Sequence, residues 1–414
     1  MNENKAERLT AKLGALETVR GVGAVVVLLH HISLAFLPFA YLGSVAPPHF
    51  GWETLLHRTP LGLLIAGRFA IAVFFVLSGF VLSLGFLGPH PKSEQELAAA
   101  TVKRIFRLAP MVALGVMLPV MLARLGLTFH HTASEITGST TWLGHELSGN
   151  LSLTAVARAL GLNLFSNSQF YNSALWTIEL ELQGSFVVYL ILFVFRHSRW
   201  RWGGYAVLAF WWRKDLLLTF LAGLVLADAF ASWPGLRRWC APVWILLPGL
   251  AVAFWLGGFP QGLVLSGQPV EGPWYGFLPK NPYGRDGWLV VGAVLLIALC
   301  LGNPRLMRML DCAPGRFLGR ISYALYATHI PVLLSVGAGL VVWLSPQIDD
   351  YAVVAFVATL ATVVVAVAVA KLFTLAVDGP SVQLANWIGA MFKASMNKPK
   401  LMARPTEIEQ DARL

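Results

Sequence analysis

Apolar stretches near the ~20 residues that a helix needs to cross ~30 Å of hydrocarbon recur along almost the whole chain, at roughly 19–41, 61–87, 108–126, 172–195 and 203–213. They continue at roughly 216–231, 241–259, 287–302, 319–343 and 352–377. Backbone in lipid must satisfy its own hydrogen bonds, so stretches of this length form helices. The expected fold is therefore all-α, a polytopic membrane helix bundle with about ten transmembrane helices. The stretch at 203–213 is the shortest and the least certain of its register. Of the 414 residues, 57% are hydrophobic and 13% charged, about half the ~25% charge of an ordinary soluble domain. No interval remains for a separate aqueous core. The chain divides into a cytoplasmic N-terminal segment at 1–18, one membrane domain at 19–380 and a cytoplasmic tail at 381–414.

A net charge of +10 would suit nucleic acid if the basic residues formed one polar face, but they fall in short connections between apolar runs. Their distribution fits the positive-inside rule. One alternate set of connections holds Lys92, Lys103, Arg104 and Arg107; Arg196, Arg199 and Arg201; Arg237 and Arg238; and Arg305, Arg308, Arg316 and Arg320. Both termini join that set, which places them in the cytoplasm of a plasma or bacterial inner membrane. The opposite set contains the long polar segment at 127–171, the Gly/Pro-rich segment at 260–286 and the acidic turn at Asp349 and Asp350. Arg213 and Lys214 are the exception. Cys240, Cys300 and Cys312 have no CxxC spacing and signal neither a disulfide framework nor a zinc site, so no metal is expected. The first apolar run is too long for a signal peptide and is expected to stay in the protein.

An ionisable side chain within a span costs at least ~2.5 kcal/mol on insertion scales, so each calls for a partner or a function. Arg20 and His31 lie eleven residues apart in the first span, three helical turns plus about 20°, with about 16 Å of rise. They share a face, whereas His30 is displaced by about 80° from Arg20. Arg20 can snorkel to lipid phosphate and His31 can simply bond across the bundle. The alternative is that His31 is a general base, because imidazole titrates near neutrality and accepts a hydroxyl proton. In the fourth span, LWTIELELQ carries Glu179 and Glu181 about 160° apart, an arrangement unlike an acid/base dyad. The ninth contains ISYALYATHIPV, with His329 about 13 Å beyond Arg320 and near the expected depth of His31. Arg104 and Arg107 sit at i,i+3 in VKRIFRLAP, a pair that clamps phosphate or anchors the helix at the cytoplasmic face.

Together these residues resemble the acyltransferase-3 family of integral membrane acyltransferases over roughly 15–385. The resemblance rests on the R-x10-H pattern of Arg20 and His31, FFVLSGF at 74–80, the Arg104/Arg107 pair, LWTIELELQ and ISYALYATHIPV, all in the family's order. Leu182 and Gly184 depart from its fourth-span pattern, VDGP carries Asp378 where the family has Glu, and no SGNH domain follows the last span.

The resemblance implies transfer of an acyl group, usually acetyl, from acyl-CoA to a hydroxyl of a carbohydrate or other acceptor. Acyl-CoA would be a donor substrate, with no tightly bound cofactor, and membrane lipids would surround the protein; nucleic acid is not an expected partner. His31 is the expected base, with Arg20 and Glu181 beside it in the catalytic set. Arg20, Arg104 and Arg107 would bind coenzyme-A phosphates. Ser78, Trp176, Tyr323 and His329 are unranked oxyanion donors or substrate contacts. The rival class is a proton-coupled transporter or flippase in which His31, Glu181 and His329 relay protons, although the internal duplication common in transporters is missing.

Overall fold

The computed structural model describes residues 3–396 apart from 89, 162, 234, 237–241 and 280–285, with side chains from residue 14 onward. Arg237, Arg238, Cys240 and the tail from residue 397 lie outside the described residues. Among the described residues every regular element is helical. The long helices are α1 (Glu3–Phe36), α2 (Gly67–Leu84), α3 (Glu94–Arg124), α4 (Trp176–Phe195), α5 (Arg201–Trp211) and α6 (Leu217–Ser232). They are followed by α7 (Val243–Gly257), α8 (Gly287–Gly302), α9 (Ala313–Val332), α10 (Tyr351–Phe373) and α11 (Gly379–Met396).

Among the described residues, seven segments are long and apolar enough to cross a membrane: Gly14–Phe36, Gly67–Leu84, Glu94–Arg124, Ser173–Phe195, Val243–Leu265, Ala313–Leu344 and Tyr351–Met396. An eighth is counted if Gly287–Gly302 and Pro304–Leu310 form one span bent by 98°. The membrane bundle matches expectation, whereas about ten spans are not reached. The difference lies in α5 and α6. At 11 residues, α5 rises only about 16 Å, roughly half the hydrocarbon thickness. At 16 residues, α6 is also short. Large apolar side chains such as Leu190, Phe193, Leu360 and Val364 are exposed on the spans, as a lipid-facing surface requires.

Two crossings of small residues organise the interior. A Cβ on Gly79 of α2 would overlap the Phe220 carbonyl of α6, and one on Gly223 would overlap that of Val76. Only glycine permits this approach, and van der Waals packing is the main attraction between helices in lipid. The second crossing joins α1 to α9, where a Cβ on Gly21 would come within 2.5 Å of the Gly319 nitrogen. Thr18 fixes the level of this contact by donating its hydroxyl to the Leu310 carbonyl at 2.6 Å.

That crossing decides what meets deeper in the bundle. The contacts show α1 and α9 rising in the same direction, and His31 and His329 each lie ten residues beyond the paired glycines. Equal rise of about 15 Å carries both imidazoles to one depth. Pro331 interrupts the α9 hydrogen-bond ladder, and a π-helical turn follows at Leu333–Gly337. A second π-helical turn at Thr374–Asp378 joins α10 to α11. It leaves Asp378 buried and directed toward α3. Such turns reposition side chains without ending the helix.

Candidate functional site

The candidate site residues fall into two cavities rather than one. The first, of about 150 Å³, is lined by Arg20, Ser78, Arg104, Arg107, Glu181 and Tyr323, with Phe74, Thr177 and Tyr326 at one end. The second, of about 490 Å³, is lined by His30, His31, Tyr41, Arg68, Trp142 and Trp176, among others. Glu181 is therefore separated from the His31 chamber that sequence depth had led us to expect for it. Trp176 does line that chamber, and His329 contacts His31 from behind.

Three guanidinia line the smaller cavity, with Glu181 on its wall and Asp378 paired to Arg107. Arg104 bonds Glu181 and donates through Nε to the Ser185 hydroxyl at 2.7 Å. Ser78 donates to the same Glu181 oxygen at 2.9 Å, so α2, α3 and α4 are tied at one carboxylate. Arg107 donates to Asp378 at 2.5 Å and lies over the Tyr323 ring at 5.1 Å. Tyr323 donates its hydroxyl to the Leu108 carbonyl at 3.1 Å. Arg20 opens onto the cavity and, among the described residues, has no ion-pair partner. Three guanidinia against two carboxylates leave the cluster with a net positive charge, with Arg20 the one not in a direct ion pair. Glu179 instead faces the opposite side of α4, accepting from Gln183 at 3.1 Å, as its angular separation from Glu181 requires.

In the larger cavity the hydrogen bonds fix the tautomers. Carbonyl oxygens only accept, so His329 Nδ1, 3.0 Å from the Leu325 carbonyl, carries a proton. His31 Nδ1 carries one for the same reason, at 3.0 Å from the Val27 carbonyl. His329 Nε2 is then a lone pair, 2.9 Å from His31 Nδ1, and accepts from it. In this neutral arrangement Nε2 of His31 is also a lone pair. Trp142 stacks on the His31 ring at 5.4 Å and 28°, holding its plane. A base oriented by a second polar group is the arrangement used to activate a hydroxyl.

His30 also lines this chamber, but its Nδ1 donates to the Ile65 carbonyl at 2.9 Å and its ring packs edge-on to Tyr41 at 4.4 Å. Arg68 forms a bidentate pair with Asp286, at 2.7 and 2.6 Å, and its guanidinium lies 5.4 Å from the Trp176 ring centre. Arg68, Trp142 and Asp378 were missed as site residues. Only Asp378 had a sequence signal, its place in VDGP. Among the described residues, no group of three His, Cys, Asp or Glu side chains is arranged to hold a metal ion.

The polar segment between α3 and α4 supports the chamber through Glu146, whose carboxylate accepts from the Ser173 N–H at 3.4 Å. Burial pushes its pKa up to about 7. The folded form therefore holds a proton that the unfolded form releases between roughly pH 4.5 and 7, so this group withdraws stability as pH rises through that window. Nearby His130, pushed down to about 4 by burial and by neighbouring His131, acts oppositely, withdrawing stability as pH falls below its ordinary value. Comparing wild type with Glu146→Gln cancels the histidine contribution. The stability difference in favour of Gln is expected to grow between pH 5 and 8 in thermal unfolding, by no more than a few kcal/mol. A pH-independent difference would rule out a buried proton on Glu146.

A family model described as an acyltransferase domain matches residues 13–371. The O-acetyltransferase PaAT-1 of Phomopsis amygdali is 22% identical over 378 residues, covering 78% of this chain and 73% of that protein. No solved structure matches the chain.

Proposed function

The chain belongs to the acyltransferase-3 family, and from that premise we propose that it is a multi-pass membrane O-acyltransferase, moving acetyl or another short acyl group from acyl-CoA to a hydroxyl. The observation that carries this reading is the pairing of a net-positive guanidinium cavity with a tautomerically fixed histidine in an adjoining chamber. The similarity to an O-acetyltransferase supports the same chemistry.

In this reading the smaller cavity is the donor site and opens toward the cytoplasm. Its volume of about 150 Å³ is below the ~300 Å³ usual for a complete ligand pocket, so only an anionic group or the end of the pantetheine arm is enclosed. Arg20 supplies the free charge, while Arg104 and Arg107 are held in position by Glu181 and Asp378. The chamber of about 490 Å³ takes the acceptor, a carbohydrate or another hydroxyl compound, against Trp142 and Trp176.

The acceptor hydroxyl gives its proton to His31 Nε2 as its oxygen bonds to the thioester carbon. The tetrahedral intermediate collapses with cleavage of the carbon–sulfur bond, and the same proton passes from His31 to the departing thiolate. Between these steps His31 is cationic, and the lone pair on His329 Nε2 accepts the strengthened Nδ1–H bond. Purified protein supplied with labelled acetyl-CoA is expected to release free thiol and form labelled ester only when a suitable hydroxyl compound is present. Acceptor movement into vesicles without ester formation would identify a transporter instead.

A further inference from the structure

The two cavities are divided at one level by side chains outside the expected catalytic set. On α2, Ile71 lines the histidine chamber while Phe74 and Phe75, one turn on, line the arginine cavity. On α4 the change occurs between Trp176 and Thr177. On α9, Tyr326 lines the arginine cavity, and His329 beyond it bonds to His31. Two helices thus change cavities within about one turn each, and α9 brings Tyr326 to the same level, leaving Phe74, Thr177 and Tyr326 between the cavities.

Tyr326 stands between Phe74 and Thr177 at that level. Its ring meets Phe74 edge-on at 6.3 Å and His329 at 5.9 Å. Its hydroxyl lies 2.7 Å from Thr177 Oγ1. Thr177 in turn donates to the Ala174 carbonyl at 3.2 Å, so Tyr326 must be the donor to Thr177. The phenol is therefore tethered across the gap between α9 and α4.

We propose that Tyr326, tethered by Thr177, flanks the passage between the two cavities and, lying beside the acyl group as it reaches His31, limits the length of the transferred chain. The inference rests on the acyl-transfer reading and adds a specificity residue to it. The thioester carbon must come within reach of a hydroxyl on His31. An acetyl group extends one methyl beyond that carbon, whereas each added methylene must displace the ring or break its bond to Thr177. A well-packed contact there discriminates by roughly 10-fold or more per methylene.

The test compares kcat/KM for acetyl-, butyryl- and hexanoyl-CoA with one acceptor, together with acceptor-independent hydrolysis. Tyr326→Ala is expected to raise the butyryl-to-acetyl ratio at least about 10-fold and to increase hydrolysis, because the passage between the two cavities then widens. Tyr326→Phe and Thr177→Val retain the ring but cut the tether, and both should shift the ratio the same way by less. These two variants carry the test if the alanine protein does not fold. An unchanged ratio in folded Tyr326→Phe and Thr177→Val, with acetyl transfer retained, overturns the length limit alone. Absence of transfer from any donor by the wild-type protein overturns the acyl-transfer reading on which the limit rests.

Discussion

Replacing His31 with alanine is expected to lower acyl transfer by about 100- to 10,000-fold, the range attributable to a positioned general base, while the protein still inserts and packs. The expectation comes from proton placement. His31 Nδ1 is committed to the Val27 carbonyl and to His329, so Nε2 is the atom left to take a hydroxyl proton. His329→Ala should cost less, because the Val27 carbonyl still holds the same His31 tautomer. His30→Ala supplies a harder control than angular separation alone suggested, since His30 borders the same chamber. Its Nδ1 is occupied by the Ile65 carbonyl, and its loss should act mainly through acceptor binding. Initial rates at saturating acetyl-CoA, with variants matched for membrane abundance and monodispersity, check the order. A folded His31→Ala protein with wild-type kcat would remove His31 from the chemistry.

The spans were legible because lipid leaves few alternatives: a long apolar run must bond its own backbone and hence form a helix. The run at 203–213 shows where that rule weakens. It forms α5, but hydropathy alone does not supply the length needed to cross. The face shared by Arg20 and His31 was legible from helical geometry, yet one face passes two cavities when neighbouring helices insert Tyr326, Thr177 and Phe74 between them. Glu181 was placed at the wrong level because depth estimates ignore such intervening side chains. Trp142 was illegible for a different reason. It lies in the polar segment between α3 and α4, without helical periodicity, and only the folded return of that segment stacks it on His31. Arg68 meets Asp286 across 218 residues, and Arg107 meets Asp378 across 271. Chain spacing does not encode either pairing. The His31–His329 contact was partly readable as equal depth, but its cause is the common register set by Gly21 and Gly319.

Arg20→Ala is expected to raise the apparent KM for acyl-CoA by about 10- to 150-fold, corresponding to the ~1.5–3 kcal/mol of a hydrogen bond to a charged group. Sequence singled out Arg104 and Arg107 as the phosphate clamp. The structure changes how their loss should be interpreted. Removing Arg104 leaves Glu181 facing the cavity without its guanidinium, and removing Arg107 leaves the buried Asp378 without its partner. Either change adds electrostatic repulsion and local rearrangement to the loss of a donor. Arg20 has no carboxylate to strand among the described residues, so its removal reports more directly on the anionic ligand. Arg20→Lys restores charge but not the planar fork and should recover only part of the affinity. Arg104→Ala combined with Glu181→Gln should bind acyl-CoA better than Arg104→Ala alone, because the second change removes the stranded charge. Saturation kinetics at low and high salt measure these effects. If Arg20→Ala leaves KM unchanged at low ionic strength while the two paired arginines remain essential, the donor phosphate is held by the paired arginines and Arg20 serves packing or orientation instead.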